Sequence, residues 1–178
     1  MFGPFSLGDS LRVYRLQRKG ISLDLQRFLA QPNTPLREAW LALVTQQAMG
    51  QPTYVLADSR DGEAFIQVRY RRHQAAVDVV YLAPALDEHD RVANAWSFLL
   101  EGACIDTAGH GIQRVFANLP VAGAEEEIFR QASFAPYAAE NIYALERLPA
   151  GGQQVDGSGL RPQRPEDWPG LRKLCVAI

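Results

Sequence analysis

Asp78 is the residue with the most chemical promise in this chain, the lone charge in an otherwise apolar run, Val77-Asp78-Val79-Val80-Tyr81-Leu82. A carboxylate drawn into such a strand has its pKa raised toward the range of a general base, because burial penalises the ionised form. The competing role is a carboxylate at the sheet rim, paired with Arg69 or Arg71. Glu140, on a later strand, is the second candidate base, or else a solvated edge charge. Arg91 stands where the apolar strand, after a turn at Ala83-Pro84, feeds a long amphipathic helix. Free backbone N–H groups and the helix dipole favour an anion at such a junction. An arginine there clamps phosphate bidentately, or pairs with Asp87 or Glu88. None of the glycines that let a pyrophosphate approach the backbone is present.

Other chemistries lack their residues. His73, His89 and His110 have no i, i+4 spacing for a metal. No Gly-x-Ser-x-Gly elbow occurs, and Gly109-His110-Gly111 follows a helix rather than opening one, the wrong order for a dinucleotide loop. Arg69-Tyr70-Arg71-Arg72-His73 reads as the charged tip of a hairpin, and with a net charge of −2 the chain is not built around a nucleic-acid surface.

The elements that carry these residues follow from periodicity. Leu11, Val13 and Leu16 against Arg12 and Arg15 predict a first strand over 11–17. Ser22 is placed to cap a helix through Ala30, and a second helix runs from Leu36 to about Ala48. Three strands then form a meander: Thr53–Asp58, Glu63–Tyr70 and Ala75–Leu82, the last apolar enough to lie centrally and be buried on both faces. The first turn, Asp58 to Gly62, ends in a glycine where positive φ is needed. The long helix spans about 91–108 and buries Val92, Ala95, Trp96, Leu99, Leu100, Ala103, Cys104 and Thr107. A strand over 112–118, a helix over 123–131 and one or two strands within 134–148 complete the order.

With 178 residues the chain has room for one ordinary core and an appendage. Cys104 and Cys175 are isolated, no signal peptide is evident, and no apolar run approaches the roughly 20 residues of a membrane span. A cytoplasmic protein with no membrane partner is the expectation. Residues 149–159, rich in Gly and Gln, have the composition of a flexible linker. Beyond them, Leu160-Arg161-Pro162-Gln163-Arg164 echoes Leu11-Arg12-Val13-Tyr14-Arg15, and 168–174 echoes 23–29. The expected organisation is a first domain over 1–148, a linker, and the start of a second copy over 160–178.

The element order from Leu11 to about Leu148 resembles the GNAT superfamily of acyl-coenzyme A-dependent N-acetyltransferases. The likeness is carried by Leu82-Ala83-Pro84 closing the central strand, by Gly111-Ile112-Gln113-Arg114-Val115 after the long helix, and by Ile128-Phe129-Arg130-Gln131-Ala132-Ser133-Phe134, similar to the family's Leu-Tyr-x-x-x-Gly-Phe segment. The resemblance implies an α+β, three-layer fold with a mixed, mainly antiparallel sheet flanked by helices and a splayed central strand. It implies that the backbone of Val80, Tyr81 and Leu82 binds the pantetheine arm of acetyl-CoA. It sets Arg91-Val92-Ala93-Asn94-Ala95-Trp96 on the family's Arg/Gln-x-x-Gly-x-Gly/Ala pyrophosphate loop, where Arg91 matches while Asn94 and Trp96 replace the small residues. Phe129 replaces the tyrosine that often protonates the leaving thiolate, and Ser133 replaces a glycine.

The sequence therefore leads to an acetyltransferase-like domain with a degraded pyrophosphate loop, the weakly active or non-catalytic half of a tandem protein. Its partners would be a small-molecule amine or a second GNAT domain, with a dimer left open. The rival reading is a working N-acyltransferase with Asp78 as base and acetyl-CoA on Val80–Leu82 and Arg91. A third is a module that reuses the cleft for another small molecule.

Overall fold

The computed structural model describes residues 2–24, 34–45, 51–58, 62–86, 90–140 and 164–169. The chain divides into two units, Met1–Ile142 and Tyr143–Ile178. In the second, the described residues form a 3-10 turn, Pro165–Asp167, begun by the Arg164 N–H donating to Asp167 Oδ2 at 2.8 Å. The proposed linker and most of the proposed second copy lie outside the described residues.

The first unit is α+β. Its described strands form a six-stranded, mixed and mostly antiparallel open sheet. They are β1 (Phe2–Pro4), β2 (Ile21–Ser22), β3 (Thr53–Asp58), β4 (Gly62–Tyr70), β5 (Ala76–Ala83) and β6 (Arg114–Ala117), in the order β1-β3-β4-β5-β2, with β6 also on β5. The meander β3-β4-β5 is as its alternation predicts, and Gly62 has φ +92 at the first turn. Strand β5 is the middle of the sheet and is buried on both faces except at Asp78, as an almost wholly apolar strand requires.

Helices cover both faces. On one lie α3 (Asp90–Gly109) and α4 (Ala124–Gln131), whose Trp96, Leu99, Leu100, Ile128 and Phe129 pack on Ile66, Val68, Val77, Val79 and Leu82. The phenol of Tyr54 donates to Asp106 of α3 at 2.8 Å. On the other face lie α1 (Ser10–Leu16) and α2 (Pro35–Val44), where Val13 and Ala39 pack with Phe5, Val55, Phe65 and Tyr81.

The N-terminal region departs from its periodicity. Residues 11–16 are helix rather than strand: α1 continues directly from a 3-10 turn, Leu7–Asp9, whose start Ser6 and Asp9 close with a capping box. Of the residues that looked like an alternating apolar face, Val13 is buried whereas Leu11 is exposed. The strand that begins the sheet is Phe2–Pro4 instead. Ser22, expected to cap a helix, lies in β2, and Leu23 and Asp24 after it are not helical; 25–30 of that predicted helix lie outside the described residues. The second predicted helix is present as α2, with Pro35 in its first turn. Of the one or two strands expected within 134–148, residues 134–140 are irregular and 141–148 lie outside the described residues.

Helix α4 ends in a Schellman motif. The Phe134 N–H donates to Phe129 O (2.9 Å), the Ser133 N–H donates to Arg130 O (3.0 Å), and the Phe129 and Phe134 rings meet at 5.0 Å. Ser133 takes the left-handed conformation this requires, with φ +69.

Candidate functional site

The site expected on the sequence is the outer edge of β5. Its geometry is governed by a bulge. Gln67 of β4 faces Tyr81 and Val68 faces Val79, so Val80 has no counterpart on β4. A bulge bends and twists its strand, and here it divides the far edge of β5 in two. Below it, β6 pairs in parallel with Ala76–Val79. Above it, β6 is absent and β2 pairs antiparallel, Ile21 against Leu82 and Ser22 against Tyr81.

Chain from the N-terminal region therefore covers all three backbone positions expected to bind pantetheine. The Leu23 N–H donates to Val80 O at 3.0 Å, and the Ala85 N–H donates to Lys19 O at 2.6 Å. Both ends of this strap are anchored by side chains. The Tyr81 phenol donates to Gln17 O at 2.5 Å, and Asp24 forms an ion pair with Arg69. Gly20 is required between them: a Cβ there would come within 2.5 Å of the Tyr81 ring and 2.6 Å of Leu82 O. Burial raises the Tyr81 phenol above its ordinary pKa, with a hydrogen bond from the Gly20 backbone opposing it. The Ser22 hydroxyl is buried without a hydrogen-bond partner.

Asp78 lies below the bulge, facing Arg69 on β4 and Phe116 on β6. Its carboxylate accepts from Arg71 Nε (2.9 Å) and Nη2 (2.6 Å), and Arg69 Nη2 lies 3.4 Å away. Two arginines thus hold it as the rim-pairing role required. Arg71 in turn is pushed above its ordinary pKa, chiefly by its hydrogen bond to Asp78, and lies over the Phe116 ring at 4.1 Å. Tyr137 meets the same ring at 5.5 Å. Glu140 is exposed in an irregular stretch, and no described contact joins it to Asp78.

On the helix side, residues 90–109 are helical, close to the predicted 91–108, so Arg91, Asn94 and Trp96 lie in the first two turns of α3. Arg91 and Asn94 are exposed, while Trp96 is fully buried, its indole N–H donating to Pro84 O at 2.8 Å and its ring edge-on to Phe129. The indole fills the core and does not obstruct the helix start. Phe129, expected at a leaving-group position, is likewise core. Asp87 and Glu88 lie outside the described residues. Among the described residues no three His, Cys, Asp or Glu side chains converge to hold a metal.

Sequence reasoning missed the strap. Its only signal was Gly20, which reads equally well as a turn. Two residues of strand have no usable period.

Fold and edge together define a class: a three-layer α+β domain whose bulged central strand has a divided outer edge, closed by the chain's own segment 19–24. No family model and no curated protein matches the chain. A solved structure similar to it is that of a mutant of TTHA1254 from Thermus thermophilus, 19% identical, with a TM-score of 0.44, covering 84% of this chain and 98% of that one. No described helix is long and apolar enough to cross a membrane.

Proposed function

We propose that this chain is a GNAT-like domain that does not itself transfer acyl groups, or does so only weakly, and serves as the passive half of a tandem acetyltransferase. One observation carries the reading: segment 19–24 holds the backbone edge of Val80–Leu82 that a pantetheine arm would need. The residues present do not fit an acyl-CoA arm there. Two further facts agree with it. Asp78 is committed to Arg71 and Arg69, which leaves no carboxylate at that position free to take a proton from an amine. Phe129 has no proton to give. Arg91, exposed at the start of α3, is a described residue still placed for a phosphate contact.

Calorimetry with acetyl-CoA tests this directly. The expected result is no heat of binding and no thermal shift at millimolar ligand. A dissociation constant in the micromolar range, about −8 kcal/mol, would overturn it and favour the working N-acyltransferase.

A further inference from the structure

Segment 19–24 is held to the first unit unevenly along its length. Before Gly20 it is fixed at a tight turn: the Lys19 N–H donates to Leu16 O at 2.8 Å, and Lys19 O accepts from the Ala85 N–H. Beyond Gly20 the hold is slight. Strand β2 pairs with β5 over two residues, whereas β4 and β6 pair with it over six and four. The Leu23 N–H adds its bond to Val80 O.

Side chains set the balance between this closed arrangement and an open one. Leu23 is buried in the same core as Leu82 and Trp96, which favours closure. Ser22 acts the other way. Its hydroxyl is buried without a hydrogen-bond partner, a desolvation that contact with water relieves. Asp24 pairs with Arg69, but the second amino group of Arg69 already lies 3.4 Å from Asp78. The arginine therefore keeps a carboxylate when Asp24 moves away. A short ladder, an orphaned hydroxyl and a replaceable ion pair are marks of a segment that opens without the rest of its sheet.

We propose that Ile21–Asp24 is an autoinhibitory flap, hinged at Gly20, that closes the Val80–Leu82 edge in the resting chain and opens to admit the arm of an acyl-CoA. This rests on the acyl-CoA reading of that edge. A pantetheine arm carries two secondary amides, each with a donor and an acceptor, and adds to a bare strand edge as an extended peptide does. Flap and arm compete for the same backbone groups of β5. The apparent affinity is then the intrinsic one reduced by the fraction of chains that are open, and the domain is passive because the closed state dominates.

Amide exchange of the full chain without ligand, followed by NMR, is set beside calorimetry with acetyl-CoA. The amide of residue 23 reports the flap, and that of Ala85, bonded to Lys19 before the hinge, is the internal control. Leu23→Ala with Asp24→Asn is expected to speed exchange at residue 23 by roughly a hundredfold while Ala85 and the β3–β4 ladder keep their protection. The same variant is expected to bind acetyl-CoA, tighter than the wild-type chain by a similar factor. Should it fail to fold, Asp24→Asn alone carries the test at roughly tenfold in both readings. Ser22→Ala is expected to slow exchange at residue 23 by about tenfold. Faster exchange with no binding at millimolar acetyl-CoA would overturn the flap and leave the passive-domain reading standing. Exchange at residue 23 that changes only in step with Ala85 and the whole sheet would overturn the flap as well. Micromolar binding by the wild-type chain would overturn both, since no closed flap would then guard the edge.

Discussion

The indole N–H of Trp96 donates to the backbone carbonyl of Pro84 at 2.8 Å, tying α3 to the corner where β5 leaves the sheet. The bond makes Trp96 a structural pin rather than an obstacle to ligand. Trp96→Phe leaves that carbonyl without its donor and opens space beside Phe129, and is expected to cost roughly 1–3 kcal/mol in denaturant unfolding. Trp96→Gly should be far less stable and should gain no affinity for acetyl-CoA. A folded Trp96→Gly protein that binds it would contradict this placement.

Gly20→Ala tests the strap. Its methyl group has no room between the Tyr81 ring and the end of β5, so segment 19–24 must shift. The expected loss is about 1–3 kcal/mol, the usual cost of overpacking. Amide exchange should quicken in the strap and at its partners on β5, while the β3–β4 ladder keeps its protection. Uniform loss of protection across the sheet would mean that the strap is not a separable element.

Asp78→Asn separates structure from catalysis. Removing the charge leaves the Arg71 and Arg69 guanidinium groups facing a neutral amide. Both arginines are about a third exposed, so solvent limits the loss to about 1 kcal/mol. Any residual acetyl transfer should be unchanged once the stability difference is allowed for. A hundredfold fall in kcat at full folding would restore Asp78 as a base.

Ser133→Gly should stabilise the protein by roughly 1 kcal/mol, since a non-glycine residue held at positive φ carries a strain of that order. The Schellman bonds of α4 need the conformation and not the hydroxyl. A lower Tm for the variant would show that the serine side chain contributes to stability.

Alkaline pH should destabilise the fold through its buried phenols. Burial is the largest cause raising Tyr54, Tyr70 and Tyr81 above the ordinary value of 10, and Asp106 adds to the effect at Tyr54 and Tyr70. The unfolded chain loses these protons first as pH rises past 10, so the stabilisation is complete below that value and declines above it. Tyr54→Phe should flatten the decline measured by urea unfolding between about pH 9 and 11. An unchanged slope would exclude Tyr54 as its source.

What was legible followed from strong local signals. The β3–β4–β5 meander and α3 came from clear periods of two and of 3.6, and the pairing of Asp78 with Arg69 and Arg71 followed from neighbouring strands with opposite charges at the rim. Residues 11–17 misled because three apolar positions fit both periods, and the deciding contact, Ser6 with Asp9, lay upstream. Trp96 was legible as a buried position of the long helix, whereas the resemblance set the same residue on a pyrophosphate loop at the helix start.

The sequence by itself determined the α+β class, the central position of β5 and the identity of the core, because burial of apolar side chains imposes a pattern that can be read along the chain. Only the tertiary structure decided who owns the edge of β5. Hydrogen bonds from Leu23 to Val80 and from Ala85 to Lys19 join backbone groups far apart in the chain, and backbone donors and acceptors are the same in every residue they pass through. No side-chain pattern announces such a pairing, so the strap that closes the site became visible only once the chain was folded.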